Sequence, residues 1–205
     1  AKERARMLTA VAHDLRTPLT SLRLRIETVP EPQRARMVAD ADRLQVMIRD
    51  VLDFARTTDS PRQRVAVRPL LAQIIVDMPA ASGALALTPG AEASILVVEQ
   101  AFRRAVENLV RNAIDYAGGG RIELRRDDEA VVVEVIDKGP GIAAEDRERL
   151  LRPFERGEAS RNRETGGVGL GLSIVQSFVE LHGGSLMLGE APGGGTIAAL
   201  YLPSA

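Results

Sequence analysis

The chain has 205 residues, 45% of them hydrophobic, with 27 basic against 28 acidic residues for a net charge of -1. That length holds one sizeable core plus a smaller element, and so even a balance gives no broad electrostatic pull toward nucleic acid or anionic lipid. Aromatics at 3% leave few platforms for stacking bases, and the absence of cysteine excludes a disulfide framework or a thiolate metal site.

The chain opens inside what reads as a helix, and AKERARMLTA has no signal-peptide character. The expectation is a portion of something longer, with no segment of its own approaching the roughly 20 apolar residues that span a bilayer. Leu8, Ala12, Leu15, Leu19, Leu22, Ile26 and Val29 recur at alternating steps of three and four, the stripe of a helix burying one face in a bundle. His13 and Thr17 fall off that stripe, and their i,i+4 spacing stacks them on an exposed face. Asp14 is placed to hold the proton on one imidazole nitrogen while the other stays free to attack. Pro18 removes the hydrogen bond to the carbonyl of Asp14 and predicts a bend just past the reactive group. A lone surface histidine on a kinked helix would explain as much, so the remainder of the chain must decide.

Pro30, Glu31 and Pro32 break the first helix, and Met37, Ala41, Leu44, Ile48, Val51 and Ala55 resume the stripe, so the two helices form an antiparallel hairpin. A hairpin covers only part of each stripe, and pairing with a second copy into a four-helix bundle covers the rest; the pattern predicts a homodimer. The polar stretch from Thr57 to Arg64 reads as a linker. The expected division is a helical unit over 1–58, a linker over 59–64 and a second unit over 65–205.

Beyond the linker the texture is α/β. The pattern predicts a strand near Val65 to Val67, a helix near Pro69 to Met78, a strand at Ala84 to Thr88 and a helix from Val98 to Tyr116. Strands RIELRR and VVVEVID follow, then a helix from Ser173 to Leu181 and strands at Ser185 to Leu188 and Thr196 to Leu202. Helices over one face of a mixed sheet make an α+β two-layer sandwich.

Three strings in this unit carry chemistry. Asn108 and Asn112 project from one helix face with Tyr116 a further turn along, and neutral oxygens of this kind suit a hard cation held mostly by water and phosphate. Asp137 ends an apolar strand and opens DKGPGI, where an acid can accept a hydrogen bond from an exocyclic amine such as that of adenine. GGVGLGLSIV, from Gly166 to Val175, sets alternate glycines before a helix whose freed amides and dipole suit phosphate oxygens. Its spacing matches neither a P-loop nor a dinucleotide fingerprint. Between the last two lies an aperiodic polar stretch ending in ASRNRETGG, which reads as a lid.

In this order the strings resemble the sensor histidine kinases of bacterial two-component systems across essentially the whole chain. HDLRTPL is similar to the H box, ENLVRNA to the N box, DKGPGI, GVGLGL and GGGT to the three glycine boxes, and LRPFERG to the F box. The HD pair and the following TSLRLRIE are most similar to the osmosensor EnvZ group. The resemblance implies a dimerisation and phosphotransfer hairpin followed by a Bergerat-fold ATP-binding domain. It makes His13 the phosphoacceptor, Asp14 its activating acid and Thr17 the group that positions water when the phosphorylated partner is dephosphorylated. It assigns Mg²⁺ to Asn112 with Asn108, adenine to Asp137, the base pocket to Tyr116, and the phosphates to Gly167, Gly169 and Gly171. Gly139, Gly141, Ile142, Leu170, Leu172, Thr196 and the lid residue Arg161 complete the implied ATP site. The implied partners are a second copy of the chain and a response-regulator receiver domain, with no nucleic acid and no membrane contact by this portion, the cytoplasmic part of an inner-membrane sensor.

Two departures stand out. Asp115 occupies a place where such kinases commonly carry Lys or Arg, and Val168 replaces a commoner Thr or Ser. The rival readings are a kinase degenerated into a nucleotide-gated docking module, and an ATPase of the related chaperone and gyrase class. The latter expects a water-activating glutamate where this chain has Asn108.

Overall fold

The computed structural model describes residues 18–38, 40–42, 44, 60–81, 83–126, 130–153, 155 and 169–205. They belong to two compact units, Ala1–Ser60 and Pro61–Ala205.

In the first unit, residues 18–26 form helix α1 and residues 33–38 begin α2, which continues through 40–42 and 44. The turn falls on Pro30 to Pro32, where proline disfavours helix continuation. Glu31 starts α2 by accepting the Ala35 amide at 3.3 Å and the Arg34 Nε at 2.9 Å. Arg23 and Asp42 pair across the two helices at 2.9 Å, and Ile26 and Ala41 are buried. Leu22, Met37 and Leu44, all on the predicted stripes, are exposed in the single chain, as is Leu24.

The second unit starts with β1 (Gln63–Ala66), which pairs antiparallel with β3 (Ser94–Val97) in a two-stranded sheet. Between them lie α3 (Val67–Asp77), a short 3-10 turn and β2 (Leu85–Leu87). Then come α4 (Glu99–Ala117), β4 (Gly120–Arg126), β5 (Ala130–Asp137), α5 (Ala144–Leu150), α6 (Gly171–Leu181), β6 (Ser185–Glu190) and β7 (Thr196–Pro203). The large sheet has the order β2-β4-β5-β7-β6, with β2 parallel to β4 and every other pair antiparallel.

Strand alternation sorts the sheet's faces. Ile122, Leu124, Val131, Val133, Val135, Ala198, Leu200 and Leu202 point to the helices and join Leu71, Ile74, Phe102, Val106, Leu109, Val175 and Phe178 in one core. α4 shows why this face is apolar. Ala101, Phe102, Ala105, Val106, Leu109, Val110 and Ala113 follow helical spacing and are all buried. The helix stops at Gly118, whose left-handed φ of 72° lets its amide return to the Ile114 carbonyl at 2.8 Å. On the opposite face of the sheet Glu134 is buried, and Arg125 on β4 neutralises its carboxylate, with Nε 3.0 Å from Oε2.

The sequence expectation differs from this architecture at four places. β1 starts at Gln63, inside the segment read as a linker. Val67 is the first residue of α3 rather than the end of a strand, and it is fully buried. β3 was not anticipated, because its short run SILV abuts the helix that follows. α5, sequence AEDRERL, buries Leu150 alone and so displays no apolar stripe.

Candidate functional site

α4, α6, the end of β5 and the start of β7 meet around one group of polar atoms. Asn108 is buried, and its Nδ2 donates to the Arg104 carbonyl at 3.0 Å, which leaves Oδ1 facing α6. Gly171 opens α6 against that oxygen. A methyl group placed on Gly171 would lie 3.4 Å from Asn108 Oδ1 and 3.8 Å from Asn112 Oδ1. The second glycine box therefore touches the asparagine face, and among the described residues no side chain caps the first amides of α6. Ser173 instead donates its hydroxyl to the Leu170 carbonyl at 2.9 Å.

Asp137 is the second fixed point. Its Oδ1 accepts two backbone amides, from Gly139 at 2.8 Å and Thr196 at 3.0 Å, so β5 and β7 together set the carboxylate's direction. Neither of those bonds uses Oδ2. Gly195, with φ 103°, allows this approach: an added methyl would lie 2.2 Å from the Asp137 carbonyl oxygen. The other half of the first glycine box closes on both neighbours. A methyl on Gly139 would meet the Tyr116 carbonyl at 3.2 Å, and one on Gly141 would meet the Gly195 carbonyl at 3.3 Å. Tyr116, Asn112, Ile142 and Thr196 are half-buried. The Ile142 carbonyl accepts Arg147 Nε at 3.2 Å.

Asn108, Asn112, Tyr116, Asp137, Gly139, Gly141, Gly171 and Thr196 thus come together. Leu170 is buried, and Leu172 packs against the core. His13, Asp14 and Thr17, and the lid residues Gly167 and Arg161, lie outside the described residues. The Asp115 side chain reaches solvent, yet desolvation of its carboxyl raises its pKa from the ordinary aspartate value, while Arg111 one turn earlier pulls it down. A cation therefore stands one turn before the position where the family pattern expects it.

Among the described residues no cluster of three His, Cys, Asp or Glu side chains could hold a metal by itself. The two asparagine oxygens fit a different role, that of minor ligands to a hard cation completed by water and phosphate oxygens. His182 and Arg68 were not singled out in the sequence. Arg68 spans the loop after β2, with Nη1 3.0 Å from the Thr88 carbonyl and Nε 3.1 Å from that of Ala91; no motif marks it.

Three helices on one side of a mixed sheet, with glycine boxes and an amide-oriented aspartate converging beside an asparagine face, define an ATP-binding domain of the α+β sandwich class. Residues 97–205 match the family described as "Histidine kinase-, DNA gyrase B-, and HSP90-like ATPase", and residues 3–60 match the "His Kinase A (phospho-acceptor) domain". The chain belongs to the two-component sensor histidine kinases, of which it carries the two core domains. Sensor histidine kinase CpxA of Escherichia coli is 32% identical over 213 residues, covering 97% of this chain and 46% of that protein. Sensor-like histidine kinase SenX3 of Mycolicibacterium smegmatis is 31% identical, covering 94% and 56%. The chain thus spans about half the length of these curated relatives. Among solved structures, full-length ShkA in complex with AMPPNP aligns with a TM-score of 0.71 at 27% identity, covering 98% of this chain and 46% of that one. Acinetobacter baumannii histidine kinase AdeS shares the fold with a TM-score of 0.63 at 20% identity, covering 93% and 97%.

Proposed function

We propose that this chain transfers the γ-phosphoryl group of ATP to His13 and passes it on to an aspartate of a response-regulator receiver domain. The observation that carries the reading is the seating of Gly171, at the start of α6, on Asn108 and Asn112, together with the carboxylate of Asp137 oriented by two backbone amides. Adenine is read by Asp137 Oδ2, and the base is flanked by Tyr116 and Ile142. The phosphates meet the α6 amides with Gly167, Gly169 and Gly171 beside them, and Arg161 reaches them from the lid.

Asn112 with Asn108 would hold Mg²⁺, which when bound would supply neutralisation of phosphate charge. The chain's own part is positional. Asp14 keeps the proton on one nitrogen of His13, the other nitrogen forms the N–P bond, and the β–γ P–O bond breaks to release ADP. Thr17 orients water for the reverse task, dephosphorylation of the regulator. Exposed Leu22, Met37 and Leu44 are the residues a second hairpin would cover, which supports a homodimer. The whole protein is read as a membrane-anchored bacterial sensor, and the HD pair supports kinship with the osmosensor group.

Incubation with Mg·ATP should give an acid-labile, base-stable phosphate in the parent and none in His13→Ala. An unlabelled parent would leave the docking-module reading, and label persisting in the variant would move the acceptor elsewhere.

A further inference from the structure

His182 lies just past the end of α6, in a segment the phosphotransfer reading does not use. It is 4% exposed, and both ring nitrogens are engaged. The Val98 amide, at the start of α4, donates to Nε2 at 3.1 Å. Nε2 must therefore be unprotonated, and the proton sits on Nδ1, which donates to the Phe178 carbonyl at 2.8 Å. The imidazole also rests on the Phe178 ring, centroids 4.5 Å apart, and Phe178 meets Phe102 of α4 edge-on at 6.0 Å.

The placement along the helices gives this contact its meaning. α4 and α6 run antiparallel: the start of α4 meets His182 at one end of the pair, and Asn108 meets Gly171 at the other. The two spans are of similar length, about 15 Å each at the helical rise. Sliding α6 along α4 would break both contacts together, so fixing one end fixes the register of the other.

We propose that His182 is a positioning residue for the nucleotide site: its neutral imidazole locks the end of α6 to the start of α4 and so holds the α6 amides in register with Asn108 and Asn112. The inference rests on the nucleotide reading of that site. A second proton would fall on Nε2, facing the Val98 N–H, and the lock would become a repulsion. Burial already lowers the His182 pKa from its ordinary value, and the neighbouring Arg62, whose guanidinium donates to the Leu181 carbonyl, lowers it further. The hydrogen bond to the Phe178 carbonyl acts the other way and is outweighed by burial, while Glu99 and Glu180 on the two helices bond Gln63 at 2.7 Å and Gln176 at 2.6 Å rather than the imidazole.

The test uses the full chain, a non-hydrolysable ATP analogue with Mg²⁺, and two substitutions. His182→Leu removes the acceptor. His182→Gln keeps an oxygen that reaches the Val98 amide but cannot titrate. The expected result for His182→Leu is an affinity at least about fivefold below the parent at neutral pH, the size of a modest coupling between sites. For His182→Gln it is near-parental affinity at neutral pH. The parent-to-Gln affinity ratio cancels the ligand's own protonation, and it should fall as pH drops from about 7.5 through the ordinary histidine range toward the lowered His182 pKa. A folded His182→Leu chain with parental affinity, or a ratio constant over that range, overturns the proposal. If the leucine variant does not fold, the ratio decides alone. A parent that binds the analogue at no pH overturns the nucleotide reading and the inference with it.

Discussion

Asp137→Asn tests the proposed reading of the base by this carboxylate. In the folded protein Asp137 Oδ1 accepts the amides of Gly139 and Thr196 at 2.8 and 3.0 Å. An asparagine must keep its carbonyl oxygen there, because the flipped amide would set an NH₂ group against two N–H donors. The Nδ2 donor then takes the place of Oδ2, where the proposed site receives the exocyclic amine of adenine. The charge-assisted hydrogen bond lost is worth about 1.5–3 kcal/mol. That converts to roughly 10- to 150-fold in affinity for an ATP analogue. Inosine triphosphate carries a carbonyl in place of that amine, so the variant should lose or reverse the parent's preference for ATP over it. Calorimetric titration of both nucleotides against both proteins gives a four-way comparison in which general damage to the site cancels. If Asp137→Asn stays folded and keeps the parental ATP preference, Asp137 does not read the amine.

Gly171→Ala should separate stability from binding. At the start of a helix alanine gains about 0.5–1 kcal/mol over glycine, while its methyl, 3.4 Å from Asn108 Oδ1, occupies the space where phosphate is proposed to sit; denaturant melts should hold or rise as nucleotide affinity falls. Gly195→Ala should do the opposite of stabilising. Its methyl would lie 2.2 Å from the Asp137 carbonyl at a φ of 103°, and a loss of about 2 kcal/mol or more in urea unfolding is expected. The second unit should also weaken in mild acid. The His182 pKa is lowered in the fold, so the unfolded chain takes up the proton first; the stabilisation is complete above the unfolded value of about 6.5 and declines as pH falls below it toward the folded value. Urea midpoints that change across that range equally in the parent and in His182→Gln would assign the loss to other groups.

The elements with strong periodicity were legible in the sequence. α4 declared itself because Phe102, Val106, Leu109 and Ala113 share one face, and β5 because VVVEVI is too apolar and too β-branched to be anything exposed. The meeting of Asn108 with Gly171 was legible only through motif order. Spacing within one helix says nothing about which other helix will lie against it. β3 escaped because its pairing with β1 is a non-local fact, and α5 because a helix burying one leucine leaves no stripe to read. His182 was hidden for a related reason. Its two partners, Val98 and Phe178, are far apart in sequence, and a buried neutral histidine has the same letter as an exposed one. Thr196 was read as part of a glycine box, whereas the group that acts is its backbone amide, which residue identity does not specify.

The order β2-β4-β5-β7-β6 puts the last strand inside the sheet, between β5 and β6. As the chain leaves the ribosome, β5 emerges with one edge bare, and β6 emerges before its sheet neighbour β7 has been made. Both wait for Thr196–Pro203, and so does Asp137, whose second amide comes from Thr196. The pair of amides that orients Asp137 is thereby incomplete until β7 has been synthesised and inserted. A polypeptide interrupted before Thr196 would present an exposed Val-rich edge to other chains, a hazard for aggregation.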